Sequence, residues 1–162
     1  MAKITRIGFG QVEPNHLSAQ RTGQIYAQLP AVDSIKVLEN GQFVKYDYAS
    51  GNVNFTAEDG EWMLVFNEVK LYDERETYKD FAMKVENYVG GAMVPRVFKT
   101  NVGDIYTTNM IDSTIDVEVG TELAPNATGV LTTAGDAEMI WKVVKVYTMA
   151  DGQAAVKLQR IK

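Results

Sequence analysis

The chain holds a single histidine, His16, two residues before Ser18. An imidazole beside a hydroxyl is the raw material of nucleophilic catalysis, in which the base takes the serine proton and a third, acidic group orients the base. That chemistry also needs a tight turn that lifts the serine clear of the chain, and no G-x-S-x-G elbow occurs. His16 follows Pro14 and Asn15 in a polar stretch, so it reads as a surface or turn residue. Cysteine is absent, which removes disulfides, thiolate metal sites and cysteine nucleophiles together. The carboxylates offer more. Residues 100–141 carry Asp104, Asp112, Asp116, Glu118, Glu122, Asp136 and Glu138 with eight threonines and no Lys or Arg. Calcium wants several such oxygens at close range, but the D-x-[DN]-x-[DN]-G loop is missing and Asp112 with Asp116 is only a spacing. Two carboxylates across a cleft would serve a small hydrolase, and sequence does not place any two. The stronger reading is a solvated negative face.

Gly8-Phe9-Gly10 lacks the third glycine and the strand–turn–helix setting of a dinucleotide fingerprint. Gly90-Gly91 marks a flexible turn. The 6 Phe and 8 Tyr residues are able to stack nucleic-acid bases, yet single-strand binders pair such rings with a basic groove. Here 16 basic residues face 21 acids, for a formal charge of −5, so no nucleic-acid partner is expected. Two N-x-T sequons, at Asn54 and Asn126, read as chance. No catalytic, cofactor-binding or metal-binding residue is assigned, no cofactor is expected, and the chain reads as a protein that is not an enzyme.

The elements that would position any site are strands. A chain of 162 residues suits one domain. Ile35–Leu38 and Phe43–Tyr48 flank Glu39-Asn40-Gly41-Gln42, where Asn-Gly predicts a type I′ hairpin turn. A second hairpin runs from Ile140–Met149 through Asp151-Gly152 to Ala154–Ile161, with Lys142, Lys145 and Lys157 interleaved among β-branched residues. Glu61–Phe66, continuing through Glu68–Tyr72, is apolar on both period-two faces and predicts a strand covered on both sides. Val94–Thr100 is a further strand, with Pro95 at its start or on an edge. Helix has two possible homes, one or two turns over 13–20 and a segment over 73–84 with acids first and Lys84 last, which reads equally as a long excursion between strands. Residues 100–141 read as an exposed, threonine-rich meander of short strands and loops. The fold class is therefore mainly β, an antiparallel barrel or sandwich built of hairpins with at most two short helices.

No apolar run approaches the ~20 residues of a membrane span, and Met1–Gly8 alternates where a signal peptide would be continuously apolar. No membrane partner is expected, and folding in a reducing cytosol fits. Four stretches carry a resemblance to a known family: Ile4-Thr-Arg-Ile-Gly-Phe-Gly10, Gln24-Ile-Tyr-Ala-Gln28, Glu61–Glu76 and Pro95–Asn109. Together they resemble the capsid decoration, or cement, proteins of tailed bacteriophage heads. The resemblance implies a β-rich virion protein, made in the bacterial cytoplasm, that docks on the outside of the capsid and braces neighbouring copies of the major capsid protein. It further implies a homo-oligomer, with a trimer suiting a three-fold site, and it carries over no functional residues. Tyr46, Tyr48, Tyr106 and Tyr147 are contact or core candidates. The alternative is a head-fibre or host-surface carbohydrate-binding module using exposed aromatics and the acidic 100–141 region.

Overall fold

A computed structural model of the chain describes residues 1–6, 8–13, 28–58, 60–67 and 82–162. The larger sheet has six strands in the order β12-β11-β13-β14-β9-β2. These are β2 (Val12–Glu13), β9 (Ile105–Thr108), β11 (Glu122–Pro125), β12 (Leu131–Thr133), β13 (Trp141–Thr148) and β14 (Ala154–Arg160). A second sheet runs β5-β4-β6-β8, from β4 (Phe43–Asp47), β5 (Asn52–Asn54), β6 (Trp62–Val65) and β8 (Val97–Phe98). Two small pairs complete the fold: β1 (Ala2–Lys3) with β10 (Asp116–Val117), and β3 (Val37–Glu39) with β7 (Ala82–Lys84). Every ladder between these strands is antiparallel. The sheets stack as a sandwich without closing into a barrel, and the helical turns described are two 3-10 turns, Val85–Asn87 and Val89–Gly91.

The four-stranded sheet is the middle layer, because its strands are apolar on both faces. Phe43 and Leu64 point into one core with Tyr106, Leu123, Trp141, Val156 and Leu158 of the larger sheet. Their neighbours Val44, Tyr46, Met63 and Val65 point the other way, into a second core with Leu38 of β3 and Met83 of β7. The two-sided burial expected of residues 61–66 is what β6 displays, since Met63, Leu64 and Val65 are all buried. Pro95 precedes the two-residue edge strand β8, where its missing N–H costs no ladder bond. The larger core centres on three rings. Tyr106 meets Trp141 edge to face at 4.8 Å, and Phe43 lies 6.0 Å from Trp141, geometries that the ring quadrupoles favour. The Tyr106 hydroxyl and the Trp141 indole N–H are buried there without a hydrogen-bond partner.

The C-terminal hairpin forms as expected, and its register explains its lysines. Trp141 and Val143 face the core, and strict alternation would send Lys145 the same way. The ladder instead shifts between Val143 and Lys145. This bulge places one extra residue, Val144, on the strand. Val146 then packs against the core, while Lys145 pairs with Lys157 on the outer face.

Three expectations change. Asn40-Gly41 does form a turn, with the Gln42 N–H bonded to the Glu39 carbonyl, but only Gly41 has a positive φ, 91°. That pattern belongs to a type II turn, which splays its flanking strands, so no hairpin forms: β3 pairs with β7, and β4 pairs with β5 and β6. Of the helix expected over 73–84, residues 73–81 lie outside the described residues, while Ala82–Lys84 is strand β7, its Ala82 and Met83 buried. The helix expected over 13–20 falls almost wholly outside them, as does 68–72. Finally, 100–141 is not an exposed layer. Its acids are outward, but Tyr106, Met110, Ile111, Val117, Leu123, Leu131 and Met139 between them are buried.

Deleting Val144 removes the bulge and leaves Val143 opposite Leu158 and Lys145 opposite Lys157 in regular alternation, with Lys145 still on the outer face. The deletion variant is therefore expected to keep its cooperative thermal transition by circular dichroism, and loss of that transition would mean that the bulge itself is needed for the fold. Tyr106→Phe removes a buried hydroxyl that has no partner. Such a group carries a penalty of about 1–3 kcal/mol, so this variant is expected to melt about 2–4 °C higher per kcal/mol recovered. A lower melting point would mean that the hydroxyl is bonded after all.

Candidate functional site

The residues that sequence singles out for chemistry do not converge. His16 and Ser18 lie outside the described residues. Gly10 serves structure: its N–H donates to the Glu39 carboxylate at 2.7 Å, and a Cβ there would stand 2.4 Å from the Asn40 carbonyl oxygen. Asp112 and Asp116 are apart in role. Asp112 accepts from the Thr114 N–H at 2.9 Å and the Thr114 hydroxyl at 2.7 Å, whereas Asp116 sits opposite Lys3 in the β1–β10 ladder. Among the described residues no three His, Asp or Glu side chains gather as metal ligands, and no helix is long and apolar enough to cross a membrane. The sequons are turn chemistry. Asn54 accepts from the N–H groups of Thr56 and Ala57, and Asn126 from the N–H and hydroxyl of Thr128, which is what asparagine does at an Asx-turn. Tyr46 and Tyr106 are core. Tyr147 donates its hydroxyl to Glu13 at 2.5 Å, and Tyr48 is 71% exposed.

The structure brings a different set together. At one end of the sandwich a cleft of about 730 Å³ is lined by Lys45, Glu58, Glu61, Trp62, Glu138 and Arg160. Cross-strand pairing sets two of them, since Lys45 of β4 lies directly opposite Trp62 of β6. The Lys45 ammonium stands 4.9 Å from the centre of the indole ring. Arg160, the last residue of β14, is held rigidly, donating to the Thr100 carbonyl and to the Thr100 hydroxyl at 3.0 Å. Its Nε donates to the Lys162 carbonyl at 3.0 Å. Glu61 takes Lys99 at 2.8 Å and Arg160 at 3.5 Å. Glu58 and Glu138 stay solvated, and Gly60 lets the chain pass close to β4, where a Cβ would meet Lys45 and the Tyr46 carbonyl at 2.8 Å. A second hollow of about 560 Å³, lined by Tyr46, Tyr48 and Asn54, shares Glu58 as a wall.

Glu61 is engaged by two cations, and no Asp or Glu among the described residues is buried, whereas acid–base hydrolysis uses a carboxyl whose surroundings hold it protonated. Pockets of 300–1,000 Å³ with a few convergent polar groups are the usual form of a small-molecule site. Sequence reading passed over these residues because each has a local explanation: Trp62 belongs to an apolar strand, Lys45 to its alternation, Arg160 to the closing hairpin. Only the parity of Lys45 and Trp62 on paired strands was available as a signal. The meeting of Arg160 with Glu61, 99 residues apart, was not.

Three exposed or nearly exposed carboxyls are held below the usual carboxylate range by turn hydrogen bonds: Asp47 by the Ser50 side chain, Asp112 by the Thr114 side chain, and Asp151, which burial alone would raise, by Gln153 and Gln11. A carboxyl with a lower pKa folded than unfolded stabilises the fold above its unfolded value, near 3.9, and that contribution disappears as pH falls through the folded value. Melting temperature should therefore hold above about pH 5 and fall below pH 4. The fall should be shallower in Asp112→Asn, which lacks one of these protons. An identical acid limb in the variant would remove Asp112 as a contributor.

Comparison of the chain with protein-family models, with curated proteins and with solved structures finds no match.

Proposed function

We propose that this chain is a virion structural protein of a tailed bacteriophage, which binds the outside of the capsid and stabilises contacts between coat subunits. The observation that carries the reading is the resemblance of Ile4–Gly10, Gln24–Gln28, Glu61–Glu76 and Pro95–Asn109 to capsid decoration proteins. The antiparallel sandwich is compatible with it, because a cement protein acts by burial of surface and needs no catalytic cleft. Ile4 in the first stretch, Leu64 in the third and Tyr106 in the fourth all belong to the larger core, so the likeness follows residues that define the fold.

The physics of the role is linkage. A protein that binds the assembled lattice and not free subunits shifts the equilibrium toward the closed shell, by an amount that grows with occupancy. Repetition over many equivalent sites makes a modest contact of standard size sufficient. The partner is the major capsid protein, and a homo-oligomer, a trimer at a three-fold position, suits a symmetric lattice. Such work takes place on the virion surface after synthesis in the host cytoplasm, and it requires neither nucleic acid nor membrane.

Phage particles carrying the protein are expected to disrupt several degrees higher on heating than particles stripped of it, and to show its density on the shell by electron microscopy. An unchanged disruption temperature together with a bare shell would refute the role. Light scattering should give a mass three times that of the chain. A species of 18.0 kDa alone at high concentration would count against a preformed trimer.

A further inference from the structure

The capsid reading makes no use of the cleft at the end of the sandwich. We infer that it is a binding site for a neutral, polyhydroxylated ligand of the saccharide class, with Trp62 as the platform and Glu58 and Glu138 as hydroxyl acceptors. The inference stands apart from capsid docking and does not rest on it.

Charge narrows the ligand first. Lys45 and Arg160 stand against Glu58, Glu61 and Glu138 around one opening, so a ligand of either single sign meets like charge on part of the wall. An apolar ligand would strip water from at least five charged groups with nothing in return. A ligand dense in hydroxyls, each both donor and acceptor, satisfies carboxylates and cations in turn. The pattern of bonds already made then says which groups are left for it. Arg160 and Glu61 are committed to Thr100, Lys162 and Lys99, which fixes them as a rigid floor. Among the described residues no hydrogen bond or ion pair engages the Glu58 or Glu138 carboxylate, and the Trp62 indole N–H makes no hydrogen bond. Two acceptor side chains and an indole thus line the opening without hydrogen bonds among the described residues.

The ring is the second argument. Trp62 is half-buried and packs against the larger core, and the Lys45 ammonium stands over its ring. A cation–π contact at an exposed site is worth only about 0.5–1 kcal/mol, and lysine's four-carbon stem swings freely. The C–H face of a pyranose can therefore take the place of the ammonium, releasing Lys45 to donate to the ligand's hydroxyls. The volume of about 730 Å³ accommodates a small ligand. The carbohydrate reading considered from sequence relied on exposed tyrosines and the acidic 100–141 segment. The site found here draws only Pro125, Ala137, Glu138 and Met139 from that segment.

The two tryptophans make the test direct, because Trp141 is fully buried and accessible fluorescence comes from Trp62. The full chain is titrated with neutral disaccharides built from glucose, galactose or N-acetylglucosamine, following tryptophan emission and saturation-transfer NMR. At least one is expected to shift the emission saturably, with a dissociation constant on the order of 1 mM. Glu138→Gln and Glu58→Gln, both surface changes, should each weaken that binding at least several-fold. Trp62→Phe should keep the NMR signal while losing the emission change. The absence of saturable binding across the panel, a response to sulfate or calcium but to no sugar, or binding indifferent to both glutamines would each overturn the inference. Capsid stabilisation by the same variants is expected to be unchanged, which separates failure of this site from failure of the structural role.

Discussion

A chain that leaves one apolar layer for another must carry its backbone polar groups through the boundary, and here the turn at Glu39–Gln42 does that work. The Gly41 N–H donates to the Val65 carbonyl and the Val65 N–H to the Gln42 carbonyl, 2.9 and 2.8 Å, so the turn is sewn to the last residue of β6. The Asn40 carboxamide then takes the Asn67 N–H at 2.8 Å, and Asn67 in turn accepts the Arg96 N–H at 2.8 Å. On the other side the Gln42 amide donates to the Thr128 carbonyl, and the Phe43 N–H to the Gly129 carbonyl at 2.8 Å. Glu39 collects Arg6 and the Gly10 N–H. Both sheets, the N-terminal segment and the β11–β12 connection are therefore referred to four residues. Gly129 shows how closely they meet, since a Cβ on it would fall 2.1 Å from the Phe43 carbonyl oxygen. Buried backbone groups left without such partners would each cost on the order of 1–3 kcal/mol, so the two cores stand or fall with this seam.

The cleft follows from the same layering. Beyond Lys45 and Trp62 the ladder between β4 and β6 stops, while β4 goes on to pair with β5 through Asp47. The larger sheet continues past that point to Arg160 and the segment that begins at Ala137. An opening between sheets that diverge in this way is lined by strand ends, whose backbone is still fixed by the ladders. Side chains there are oriented by rigid elements, which is how a site keeps its geometry without a loop to close over it.

Much of the fold can be read in the sequence, for reasons specific to particular residues. Met63, Leu64 and Val65 are consecutive and apolar, which only a middle layer permits, and Asp151-Gly152 between two β-branched runs closes the last hairpin. The bulge was also written there. Lys142 and Lys145 differ in parity, so both can face water only if the strand gains a residue between them. What misled was chemistry shared by different turns: Asn-Gly allows type I′, but it equally allows the type II turn that sends the chain across to another sheet, and the choice depends on Val65, Asn67 and Thr128, remote in sequence. The acidic segment misled because its charge was counted and its spacing was not. Leu123, Leu131 and Val117 lie among the acids at positions that a sheet turns inward. The cleft was illegible, since it depends on contacts such as that between Glu61 and Arg160.

The outermost strands of both main sheets are short. β5 and β12 have three residues each, and β2 and β8 have two. Strands of that length offer too few free N–H and C=O groups to template the addition of another chain. At these edges, as far as the described residues form them, a partner is denied the simplest mode of recognition, in which an extended peptide prolongs a sheet. It has to read side-chain relief instead, so specificity for any surface this protein covers resides in the shape and charge of the faces. The same holds between copies of the chain, to which these short edges offer little means of joining into ribbons.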